Sequence, residues 1–88
     1  MAQAGGPPGA INHTQMNRLY LEAAFESYQA FMAVYIQVAN SNHVNKEAQL
    51  QMIQLRINEK KLSYNNDFDR MATCCSHCQN ALANFQRL

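Results

Sequence analysis

Cys74, Cys75, His77 and Cys78 fall together in the stretch MATCCSHCQNALANF, residues 71 to 85. Thiolates and imidazoles are the donors zinc prefers, and a thiol beside an imidazole is also the smallest nucleophile and base pair. The spacing decides how far either chemistry goes. Cys75 and Cys78 have the C-x₂-C separation of half a structural zinc site, but no second Cys or His pair exists to complete it. Only His13 and His43 remain, each isolated, so a one-chain site would need one of them to reach the cluster. A dimer supplying Cys75 and Cys78 twice is the alternative geometry. Cys74 and His77 are three apart and could touch on a helix, yet no third group is suggested to orient the histidine. Adjacent Cys74 and Cys75 make only a strained disulfide. On a helix Cys74, Cys75 and Cys78 share a side with apolar neighbours, and a buried cysteine behaves as a small hydrophobe. Packing is therefore the expected role, with no metal, no cofactor and no catalytic residue. Cys74, Cys75, His77 and Cys78 are the candidates for a metal- or thiol-dependent alternative.

The elements that carry these residues follow from punctuation and period. All three glycines and both prolines lie within residues 1–11, a composition expected to form a flexible tail. No breaker follows, so residues 12–88 are expected to be one all-α domain. Asn12 with Gln15 reads as a capping box opening a helix over about residues 14–41. Leu21, Tyr28 and Tyr35 recur every seven residues there, with Phe25, Phe31 and Met32 on the same wide apolar side. The polar NSNHVN, residues 40–45, supplies a turn in which Asn40 or Asn42 could be left-handed and Asn45 could cap the next helix. Beyond it Leu50, Ile57, Tyr64, Met71, Cys78 and Phe85 keep a seven-residue phase, predicting one long second helix over 45–88. The lysines before Asn65–Asn66 and the aspartates after it allow a turn there instead, which would give a compact three-helix bundle.

Length then makes a demand. A first helix of 14–41 is about 42 Å long and a second of 45–88 about 66 Å. Folded antiparallel as a coiled-coil-like hairpin, the first covers the second only to around residue 72. The intrachain core is expected from Leu21, Phe25, Tyr28, Phe31, Met32, Tyr35, Leu50, Ile53 and Ile57. The stripe of Tyr64, Phe68, Met71, Cys75, Cys78, Leu82 and Phe85 is left needing a cover, and is assigned to partner binding. Self-association into a bundle, or helices of a larger complex, would supply it.

Composition limits the rest. Seven Lys and Arg against six Asp and Glu leave a net charge of +1, with no basic patch for nucleic acid or an anionic membrane. The longest apolar run, residues 30–39, is too short to span a bilayer, and the first ten residues do not resemble a signal peptide. An odd number of cysteines, two of them adjacent, suits reduced thiols in the cytoplasm or nucleus. No Gly-rich phosphate loop and no Glu-x-x-His pair is present. The sequence thus predicts a non-enzymatic, intracellular helical interaction or assembly module, a small scaffold or adaptor.

Overall fold

The structure, a computed structural model, describes residues 12–88; the tail predicted over residues 1–11 lies outside them. Two long helices, α1 (His13–Ala39) and α2 (Lys46–Ala72), pack antiparallel as a hairpin. A short helix α3 (Ser76–Ala81) and a 3₁₀ turn (Leu82–Asn84) follow, and the last residues are extended. No strand occurs among the described residues. The chain is an all-α hairpin with a short third helix.

The capping box forms as the residue types require. Asn12 Oδ1 accepts from Gln15 N at 2.9 Å, and the Asn12 N–H donates to Gln15 Oε1 at 3.2 Å. Two of the devices expected in the turn between the helices are not used. Asn40 has φ −92° and is not left-handed. Ser41 Oγ donates to the Val38 carbonyl at 2.7 Å, and Lys46 Nζ donates to the Ser41 carbonyl at 3.3 Å. Asn45 precedes α2 without a side-chain capping bond.

The second helix stops at Ala72 and does not continue to 88, nor does it break at Asn65–Asn66. Thr73, Cys74, Cys75 and Ser76 are all modest helix formers, and Thr73 turns its hydroxyl onto the carbonyls of Asp69 (3.1 Å) and Arg70 (3.3 Å). Cys75 is fully extended, and its sulfur accepts the Cys78 N–H at 3.5 Å to open α3. The chain so reverses and runs back along α2. Tyr64 Oη donates to the Gln86 carbonyl at 2.8 Å, and Arg87 grips Asp69 through two bonds of 3.0 and 3.1 Å. Asn65, buried within α2, accepts from the Leu88 N–H at 2.8 Å and donates to the Leu88 carbonyl at 3.4 Å. The residue read as a candidate helix breaker is a clamp, its polar atoms paired as burial demands.

This reversal relocates the core. Leu21, Tyr64, Met71, Cys78 and Leu82 form one buried cluster, with Phe25, Phe68, Cys75, Phe85 and Leu88 packed on it. The stripe assigned to a partner is thus covered by the chain's own α3 and tail. The expected intrachain core fills less well. Ile57 is buried; Phe25, Tyr28, Phe31, Tyr35, Leu50 and Ile53 are half-buried, and Met32 is exposed. Two helices alone cannot close around these side chains. From residue 22 to residue 56 none is fully buried.

Candidate functional site

The cysteines sit where the regular structure fails. Cys74 and Cys75 occupy the turn after α2, and Cys78 lies in α3. The same corner receives the first turn of α1, because the antiparallel hairpin brings the start of one helix beside the end of the other. His13, the first residue of α1, thereby meets the cluster across more than sixty residues of sequence.

Its Nε2 lies 3.4 Å from Cys75 Sγ. The ligand atoms of His13, Cys74, Cys75 and Cys78 all lie within 4.8 Å of one another. Thr14 Oγ1 is 3.4 Å from Cys78 Sγ, and Asn17 Nδ2 donates to the same sulfur at 3.9 Å. Cys78 is buried, Cys75 half-buried and Cys74 exposed, and all three are free thiols.

The environment sets two of the thiols apart. A hydrogen bond from His13, then the Cys78 backbone N–H, brings the Cys75 thiol down to about 6. Cys74 is pushed up to about 11, first by its hydrogen bond with the Cys78 thiol and then by burial. The donors around Cys75 favour its thiolate form.

The histidine nominated by its place in the motif is not the one that joins. His77 is exposed and lines an open groove of about 360 Å³ with Asn12, His13, Thr14 and Gln15. Within α3 the buried Cys78 takes the inward side, and His77, one residue before it, is left exposed. His13 was legible only through register: a first helix covering the second to about residue 72 places residues 13 and 14 beside the cysteines.

A second concavity, of about 350 Å³, opens between Phe25, Tyr64, Asn84, Phe85, Gln86 and Leu88. It is the seam beneath the returning tail, and Phe25, Tyr64 and Phe85 supply its aromatic lining. The aromatic residues pack on one another, with Phe25 and Tyr64 centroids 5.6 Å apart and Tyr64 and Phe68 6.3 Å apart. Among the described residues no helix is long and apolar enough to cross a membrane. No known protein family, curated protein or solved structure matches the chain, so its function rests on this geometry alone.

Proposed function

We propose that the chain is a non-enzymatic assembly module that pairs with a second copy through the outward side of α2. One observation carries this reading. Met52, Leu55 and Leu62 are 65%, 63% and 62% exposed, and with Ala48 they recur at the three- and four-residue steps of a coiled-coil seam. The seam points away from α1 and is interrupted only by Glu59. The turn half of the hairpin adds a second reason to associate, since its inner residues are only half-buried. Between Glu26 and Lys46 there is no Asp, Glu, Lys or Arg, so little charge there opposes close approach. Two hairpins joined by a twofold axis form a four-helix layer, and each fully buried Leu contributes about 1.5–3 kcal/mol. Three free cysteines suit the cytosol or nucleus as the setting.

Light scattering across a concentration series tests the pairing. A dimer that Leu55→Glu with Leu62→Glu converts to a monomer, with the helical circular dichroism unchanged, supports it. A chain that stays monomeric at high micromolar concentration refutes self-pairing and leaves a helix of another protein as the occupant.

A further inference from the structure

We propose that His13, Cys74, Cys75 and Cys78 bind one zinc ion within a single chain. This site is independent of the α2 seam and needs no second copy. Three thiolates with one imidazole is a standard closed set for structural zinc, which takes four ligands in a tetrahedron. With Zn–S near 2.3 Å, ligand atoms in such a tetrahedron stand about 3.8 Å apart. The four donor atoms here are already within 4.8 Å of one another, so a shift of at most about 1 Å in any sulfur–sulfur separation closes the shell.

Packing explains these cysteines only in part. Cys78 is buried and fills space in the core, but Cys74 is exposed and fills none. What the exposed Cys74 and exposed His13 have in common is their distance from Cys75 and Cys78. The sulfurs also have the surrounding donors that thiolate ligands use. The Cys78 N–H donates to Cys75 Sγ at 3.5 Å, Asn17 Nδ2 donates to Cys78 Sγ at 3.9 Å, and Thr14 Oγ1 lies 3.4 Å from it.

A softer, sulfur-rich tetrahedral set favours zinc over calcium, magnesium or manganese. Four protein ligands leave no open position for water or substrate, so the ion is structural. On binding, each sulfur still carrying a proton loses it to solvent, His13 binds as the neutral imidazole, and nothing is oxidised or reduced. The ion would join α1, the end of α2 and α3 at one point. That converts a corner held by weak sulfur contacts into a crosslink spanning residues 13 to 78.

The test uses the full chain, reduced and stripped of metal. Cobalt(II) is titrated in anaerobically and followed by its visible absorption, zinc is then added, and native mass spectrometry counts the ions. The expected result is one ion per chain, the intense bands of tetrahedral thiolate-bound cobalt, and their loss when zinc displaces it. His13→Ala should weaken zinc binding by at least about tenfold, His13→Cys should restore tight binding with an all-sulfur spectrum, and His77→Ala should leave both affinity and spectrum unchanged. Chelator should lower the melting temperature of the zinc-loaded wild type by more than that of His13→Ala. His13 is exposed at a helix start, and circular dichroism checks that its variants fold. Failure to take up one ion per chain would overturn the site. So would equal losses in His13→Ala and His77→Ala.

Discussion

The two ends of the hairpin are built from similar residues and reach different degrees of burial. At the end where α1 begins and α2 finishes, a third layer of α3 and the tail closes over Leu21, Tyr64 and Met71, which are at most 1% exposed. At the turn end the helices face each other without a cover, and Phe31, Tyr35, Leu50 and Ile53 remain half-buried. The aromatic and aliphatic content is comparable, so composition is not the difference. A helix pair buries one stripe on each partner, and a closed core needs a third element. Thirteen residues folded back supply it at one end only.

The largest expected effect comes from opening the closed end. Leu21→Ala should cost about 2–5 kcal/mol in urea unfolding, whereas Ile36→Ala on the exposed flank should stay within about 0.5 kcal/mol. Comparable losses at the two sites would erase the distinction. Asn65→Ala comes next. It leaves the Leu88 backbone without its two bonds beside a buried surface and should cost about 1–3 kcal/mol, with faster carboxypeptidase release of the last residues. Amide exchange sharpens the same contrast: amides around Leu21 and Met71 should exchange only near global unfolding, and those of residues 30–40 and 46–54 well before it.

Smaller effects appear at the extremes of pH, and both lie at the closed end. Burial raises the Tyr64 phenol above its usual 10.0, opposed by its bond to the Gln86 carbonyl. The fold therefore prefers the neutral phenol, and that stability is complete below pH 10 and lost as pH rises through the folded value. Tyr64→Phe should remove this alkaline loss. The Arg87 guanidinium lowers Asp69 below its usual 3.8, so this contribution is present above that value and disappears as pH falls through the folded one. Arg87→Ala should flatten the acid limb, measured by melting temperature against pH. Smallest of all, Arg56→Ala breaks an exposed pair with Glu59 on the turn half and should change stability by under about 0.5 kcal/mol.

The hairpin could be read from the sequence because it depends on local rules: an absence of breakers, a seven-residue series and one polar interruption. The capping box at Asn12 and Gln15 was equally local. The reversal at 73–75 was hidden by the series that revealed the helices. Tyr64, Met71, Cys78 and Phe85 keep step through the break, because a chain that doubles back onto the same core presents the same residues as one that runs straight. The run of Thr, Cys, Cys and Ser was the opposing signal, and each of its residues weakens helix only slightly. Asn65 raised the alternative of a break that α2 does not make, since an asparagine that ends a helix and one that clamps a distant backbone look alike in sequence. The candidate site was half legible. The cysteines announced themselves, but His13 belongs to them only through the antiparallel register, and His77 stood closer in the chain than it does in space.

The extended Cys75 has a kinetic consequence. The six-residue polar turn lets α1 and α2 find each other early and locally, while the cluster beneath α3 joins residues some sixty positions apart. Docking of the last segment is therefore the late step on the way in. Thiol reagents should modify the exposed Cys74 at once, while the buried Cys78 waits until that segment lifts from the core and bares it together with Tyr64.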